Sequence, residues 1–255
     1  MKNIWIIANW KANKTLEQAL EWLSIVGLQV QRKEDLKVVV CPTFTAIEEV
    51  KKEIDAKGYP LLIGAQDLSP FDNGSYTGEE TAGILKQFVT VAILGHSERR
   101  ENFGETDETV AQKVNQAIEY GITPLVCVQG TDTPVPPNCQ LVAFEPVFAI
   151  GTGNSATPKD ANEVAEKLKA RYGADLEVIY GGSVNSDNIP GFIDQENISM
   201  KTKQGTTLQI TGRNFIEVNF EAFGDDSEII AYKDKSEYDI KNGRLTKNFR
   251  TENSL

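Results

Sequence analysis

Short apolar runs alternate with longer stretches of helical period over the first two-thirds of the chain. Ile4–Ala8 precedes Thr15–Leu28, where Leu16, Ala19, Leu20, Leu23 and Val26 recur at helical spacing. Leu36–Cys41, rich in valine, precedes a helical Ala46–Lys57. Leu61–Ala65 reads as a third strand, followed by a loop over Gln66–Tyr76 and a helical Glu79–Gln87. Val89–Leu94 is a fourth strand with its helix over Glu105–Tyr120. Thr123–Val128 and Leu141–Phe144 are the fifth and sixth strands, and a helix over Ala161–Tyr172 leads to a seventh at Leu176–Tyr180. Strands and helices in this order predict a parallel sheet with helical crossovers. A doubly wound sheet and a closed barrel both satisfy the pattern.

Two places break the rhythm. Between the fifth and sixth strands lies Gln129-Gly-Thr-Asp-Thr-Pro-Val-Pro-Pro-Asn138, whose three prolines exclude a full crossover helix. From about Ser199 the pattern changes to period two: Thr206–Thr211, Asn214–Phe220 and Glu228–Tyr232, set between Gly212, Gly224-Asp-Asp226 and Asn242-Gly243. These read as antiparallel strands and turns. The charge changes at the same point. Residues 199–255 hold nine basic and nine acidic side chains, so the net charge of −11 belongs to 1–198. Two regions are expected, 1–198 and 199–255.

That charge disfavours nucleic acid and anionic membrane surfaces as partners, since both would be repelled. The cysteines, Cys41, Cys127 and Cys139, are too few and too scattered for a disulfide framework or a zinc site. They fit buried thiols in a reducing compartment, and a cytoplasmic location is expected. No stretch approaches the ~20 apolar residues of a membrane span.

Candidate chemistry gathers just past the strand ends, where ligands bind in parallel α/β folds. His96, the sole histidine, follows the fourth strand in Leu94-Gly-His-Ser-Glu-Arg-Arg100. A lone histidine is more often a packing residue, but glycine before it permits a close approach and Ser-Glu after it opens a helix. Glu145 ends the sixth strand in Val142-Ala-Phe-Glu-Pro-Val147. A carboxylate there is costly unless it is paired or used. Pro146 stiffens the entry of the following loop and Gly151-Thr-Gly153 frees its exit, which suits a lid moving as a body. Lys11 ends the first strand in Ala8-Asn-Trp-Lys11. A solvated surface lysine and a salt-bridged carboxylate are the plain alternatives. Together, a base, a neutral hydrogen-bond donor and a cation are what enolisation next to a carbonyl requires. Tyr180-Gly-Gly-Ser-Val184 ends the seventh strand, and exposed N–H groups at such a glycine pair can hold a phosphate.

Four strings stand in one order: Ala8-Asn-Trp-Lys11, Gly95-His-Ser-Glu-Arg99, Phe144-Glu-Pro-Val-Phe-Ala-Ile-Gly-Thr-Gly153 and Tyr180-Gly-Gly-Ser-Val-Asn185. With Gln66-Asp-Leu-Ser-Pro70 and Tyr76-Thr-Gly-Glu79 they make residues 1–198 resemble triosephosphate isomerases. The resemblance implies a (β/α)8 barrel and interconversion of glyceraldehyde 3-phosphate and dihydroxyacetone phosphate. It implies Glu145 as the base, His96 as the neutral electrophile and Lys11 as the cation that holds substrate and its developing charge. Asn9 lines the same pocket, and Glu98 is the acidic neighbour of the lysine. Gly151, Gly182 and Ser183 are implied as phosphate contacts. A homodimer through the loop around Thr77 is implied too, with neither metal nor organic cofactor.

Departures from the family are the shortened fifth unit, Gln129 in place of an acidic residue, and Phe148 where the lid often carries tryptophan. Where the eighth strand and a second Gly-Gly are expected, the chain reads Ser199-Met-Lys-Thr-Lys-Gln-Gly205, and the final helix is missing. Gly205 or Gly212 is the remaining candidate for that glycine pair, and Thr206–Thr211 for the closing strand. A non-catalytic barrel remnant or fusion product, and a different phosphate-binding barrel enzyme, are the alternatives.

Overall fold

A computed structural model describes residues 4–30, 32–34, 36–146, 156–182, 191–192, 230–233, 236–241 and 244–248. Its sheet contains β1 (Ile4–Asn9), β2 (Leu36–Cys41), β3 (Leu62–Ala65), β4 (Val91–Leu94), β5 (Thr123–Val128), β6 (Leu141–Phe144) and β7 (Glu177–Tyr180). All neighbours pair in parallel, and spatial order equals chain order, β1 to β7. A doubly wound sheet reverses its strand order at a switch point, and this one never does. It is a rolled wall.

Strand alternation shows the roll directly. One set of residues, including Val38, Val40, Ala92, Val126, Val142 and Val178, packs outward against the helices. The other set, Val39, Cys41, Val91, Ile93, Leu125, Cys127, Leu141, Ala143 and Ile179, meets in a second cluster with Trp5, Ile7 and Leu62 against it. Strands from all around the wall contribute to that inner cluster, and the Trp5 indole N–H donates to the Glu177 carboxylate between β1 and β7. Because both faces are buried, the strands are near-continuous apolar runs. Among the described residues no strand lies between β7 and β1. This is the architecture of a (β/α)8 barrel, with seven of its strands described.

Local signals place the outer helices. Helix α1 (Leu16–Val26) begins at Thr15, whose hydroxyl accepts the Gln18 N–H while Gln18 reaches back to the Thr15 N–H. Helix α2 (Ile47–Lys57) follows a single 3-10 turn at Phe44–Ala46 and ends on left-handed Gly58. The helix expected over Glu79–Gln87 shrinks to α3 (Ala82–Leu85). Its first residues are diverted: the Glu80 carbonyl accepts the Ser69 N–H, and Thr81 is extended. The helix expected over Glu105–Tyr120 is α5 (Asp107–Glu119), capped by Thr106 and preceded by a separate α4 (Ser97–Phe103) that stops at left-handed Gly104. Helix α6 (Pro158–Tyr172) starts at a Thr157 cap with proline in its first turn.

The shortened fifth unit has no helix. Its loop instead buries Val135 and Cys139 on the outer face of the wall. Helix α6 supports that loop: the Tyr172 hydroxyl accepts the Val135 N–H at 3.3 Å, and Arg171 donates to the Thr131 carbonyl at 2.8 Å. The outward residues Val126, Val128, Val142 and Phe144 stay buried without a crossover helix.

In the tail, β8 (Ile230–Lys233), β9 (Ser236–Lys241) and β10 (Arg244–Asn248) form an antiparallel meander in the order β10-β9-β8. The strand expected at Glu228–Tyr232 corresponds to β8, and Asn242-Gly243 joins β9 to β10. The strands expected at Thr206–Thr211 and Asn214–Phe220, and the boundary expected near 198, lie outside the described residues. Among the described residues no helix is long and apolar enough to cross a membrane.

Candidate active site

Three strand ends bring Lys11, His96 and Glu145 to one rim of the barrel. Glu145 follows β6 directly. Its N–H donates to the Val128 carbonyl at 2.8 Å, and the Gly181 N–H donates to the Phe144 carbonyl at 2.8 Å, so the ladder continues one step past the strand. The carboxylate is nearly enclosed, with 4% of the residue exposed. Oε2 accepts the Ser97 N–H at 3.2 Å, and Oε1 lies 3.4 Å from His96 Nε2. Gly181 leaves room for it, since a side chain there would come within 2.9 Å of Glu145 Cγ.

Cys127, on the inner face of β5, adjoins the same carboxylate. Burial first, and then the Glu145 charge, hold its thiol well above the ordinary range. It is a neutral S–H wall to the site.

His96 caps α4. Its Nδ1 accepts the Glu98 N–H at 3.2 Å, so the ring proton sits on Nε2, the nitrogen that faces Glu145. The imidazole is thus set as a neutral donor aimed into the site. Gly95 makes this turn possible. Its φ is +69°, and an added Cβ would lie 2.8 Å from Val110 and 3.0 Å from Arg100 Nη2. Arg100 secures the turn by donating to the Gly95 carbonyl at 2.9 Å and pairing with Asp107 at 2.6 Å.

Lys11 reaches the same place from β1. Its Nζ pairs with Glu98 Oε1 at 2.7 Å, and its N–H donates to Asn9 Oδ1 at 3.0 Å. Glu98 therefore touches Lys11 through its carboxylate and His96 through its backbone N–H, with carboxylate Oε2 also 3.6 Å from Nδ1. Near the seventh strand end, the buried Tyr180 hydroxyl accepts the Ala156 N–H at 2.8 Å, and the Tyr180 ring stacks on Phe192 at 4.1 Å. Gly182 follows this anchored tyrosine. Gly151, Ser183 and Phe148 lie outside the described residues, so the lid and part of the expected phosphate contact do too.

Sequence reasoning missed the supports of these groups. Lys11 has a left-handed backbone, with φ of +49°. Beside the rim, buried Lys113 donates to both Asp67 oxygens at 2.7 Å and to Glu105. Arg99 Nε closes the cluster on Asp67 at 2.9 Å. Burial pushes the Asp67 carboxyl above its usual range, and Lys113 and Arg99 pull against that. A lysine on the buried stripe of α5, with Val110, Val114 and Ala117, was the available signal.

The arrangement holds a carboxylate, a neutral N–H donor and a cation at one rim of the barrel, with glycine-bearing turns beside it. Comparison with known proteins identifies the family. The family model described as triosephosphate isomerase matches residues 4–135 and 137–199. A protein of Mesomycoplasma hyopneumoniae (strain 7448) named triosephosphate isomerase is 37% identical over 234 residues, covering 82% of this chain and 95% of that protein. Relatives of the same name from Dehalococcoides mccartyi (strain BAV1) and Alkaliphilus metalliredigens are 33% and 34% identical. They cover 82% and 80% of this chain, and 93% and 94% of their own lengths. With the rolled parallel wall, the extent of these matches makes the chain a member of the triosephosphate isomerase family.

Proposed function

We propose that the chain interconverts D-glyceraldehyde 3-phosphate and dihydroxyacetone phosphate through an enediolate, as a step of glycolysis and gluconeogenesis. The observation that carries this is the facing pair of His96 Nε2–H and the Glu145 carboxylate, 3.4 Å apart, with Nδ1 already satisfied. A substrate oxygen entering between them takes over the Nε2–H and frees Oε1. Glu145 then removes the proton from the hydroxyl-bearing carbon and returns it to the former carbonyl carbon, while the hydroxyl proton passes from the oxygen of the first carbon to the oxygen of the second. His96 hydrogen-bonds the developing oxyanion, and Lys11 balances its charge in an enclosed site where such interactions are strong. Asn9 lines the pocket and holds the Lys11 backbone. Glu98 holds the Lys11 ammonium, and Gly182 offers backbone N–H to the phosphate with Gly151 and Ser183.

The working form is a cytoplasmic homodimer joined through the loop around Thr77. Thr77 is exposed, as are Phe71 and Tyr76, whose rings stack at 4.3 Å on the same loop. An exposed aromatic pair on a loop tied down at its base favours an interface. The three cysteines are free and buried, as suits a reducing compartment.

The decisive experiment is a coupled assay of purified protein in both directions, with Glu145→Gln alongside. Wild type turns over, and the variant loses on the order of 10²–10⁴-fold in kcat. A folded but inert wild type would return the chain to the reading of a non-catalytic remnant.

A further inference from the structure

β1 and β2 pair along their whole length, from Ile4↔Leu36 to Asn9↔Cys41, whereas β2 and β3 pair only at Val39↔Leu62 and Val40↔Ile63. Below those pairs the two strands part. Pro60, just before β3, has no N–H with which to extend the ladder. Between the parted ends lies a cleft of about 210 Å³. Leu36 and Leu62, the first residues of their strands, line it, so it lies at the end of the barrel opposite Asn9, Lys11 and Glu145.

Val38 and Leu61 are buried and give the cleft apolar walls. Around them stand Arg32, Lys33 and Lys37, and no acidic residue among the described ones lines it. Glu34, on the same turn, is exposed and outside the lining. Arg32 reaches the Gly58 carbonyl at 3.4 Å, a long bond, and Lys33 and Lys37 make no ion pair among the described residues. Lysines on nearby α2 are answered, since Lys51 pairs with Asp55, and Lys52 with both Glu48 and Glu49. A chain of net charge −11 thus turns three cations on one cleft.

We propose that this cleft is a second anion site, for a compact polyanion of the phosphate class. A guanidinium offers a fork of donors to two oxygens and an ammonium a point charge, the two ways in which side chains hold phosphate. Three like charges at one cleft repel one another, and a dianion or higher reverses that cost. The cleft is smaller than the ~300 Å³ at which drug-sized ligands begin to fit, so its occupant is small.

The test titrates the full chain with inorganic pyrophosphate at constant ionic strength and takes an apparent Kd from the rise in melting temperature. Lys33→Gln combined with Lys37→Gln is expected to weaken that Kd roughly tenfold or more, because two charge-assisted hydrogen bonds are lost. A control pair on α6, Lys159→Gln with Lys167→Gln, removes the same charge from exposed positions and is expected to change it less than about twofold. Equal weakening by the two pairs would mean that net charge alone is felt, and would overturn the proposal. So would a wild type that shows no rise, or a cleft variant that binds as wild type does. Pyrophosphate in the candidate active site is told apart by its inhibition of isomerase turnover. That inhibition constant is expected to stay within about twofold of wild type in the cleft variant. A rise there as large as the rise in Kd would move the anion to the active site and sink the proposal. If the double variant does not fold, exposed Lys33→Gln alone decides, with a loss of roughly threefold or more expected. The melt does not need turnover, so an inert wild type would overturn the isomerase reading and leave this one to its own result.

Discussion

In the barrel wall, residues such as Val39, Val126 and Val142 are fully buried in strands, each face packed against apolar neighbours. One or two residues past the strand ends the pattern inverts. Lys11 has φ of +49° and Gly95 +69°, and Glu145 carries an enclosed carboxylate. Wall residues satisfy the rule that apolar burial stabilises, at roughly 25 cal/mol per Å². Rim residues break local rules, and each is held by partners from another strand end. Strain and buried charge at the rim are tolerable because the wall fixes their supports to within hydrogen-bond distance.

The two regions are expected to fail differently. The largest effect belongs to the rim, in the loss of rate already given for Glu145→Gln, with little change in melting. In the outer shell, Leu168→Ala opens a cavity at a fully buried position of α6. It is expected to cost about 2–5 kcal/mol in a denaturant titration. At temperatures below the melt its kcat and KM should stay within about twofold of wild type. A large selective loss of kcat there would break the division between wall and rim.

Gly95→Ala is expected to join the two behaviours. The positive φ and the close approach of Val110 and Arg100 put its stability cost at about 1–3 kcal/mol. Because the same turn aims His96, kcat should fall as well. A variant that loses stability but keeps full kcat would show that Gly95 serves packing alone.

The effect confined to alkaline pH lies in the helix-free loop between β5 and β6. Burial pushes the Cys139 thiol up to about 11 from 9.0. A thiol raised in the folded state contributes stability that is fully present below its unfolded value, near pH 9. That contribution is lost as pH rises through about 11, because the unfolded chain gives up the proton first. The loss is on the order of 2–3 kcal/mol. Cys139→Ala should flatten the decline in stability between pH 9 and 11, measured by urea titration at successive pH values. An unchanged slope would mean that the loop opens to admit solvent before the chain unfolds.

Much of this fold was legible in the sequence because buried parallel strands must be continuous apolar runs. Leu36–Cys41, Thr123–Val128 and Leu141–Phe144 appear with the bounds their composition predicts. Helices were less legible where tertiary bonds compete with propensity. The Ser69–Glu80 bond shortened α3, and the Thr106 cap set the start of α5 at Asp107, two residues later than expected. His96, Glu145 and Lys11 were visible because each departs from its apolar strand at a strand end.

The sequence alone determined the strands, the missing fifth helix and the candidate groups His96, Glu145 and Lys11 at the strand ends, since these follow from local pattern and side-chain chemistry. Only the tertiary structure decided between a rolled and a doubly wound sheet, because period is the same in both and strand order is not. It alone decided which nitrogen of His96 faces Glu145, through the Glu98 N–H, and it alone revealed the cleft where β2 and β3 part. Those depend on the turn of a capped helix in one case and on how far two strands stay paired in the other, and neither leaves a periodic trace along the chain.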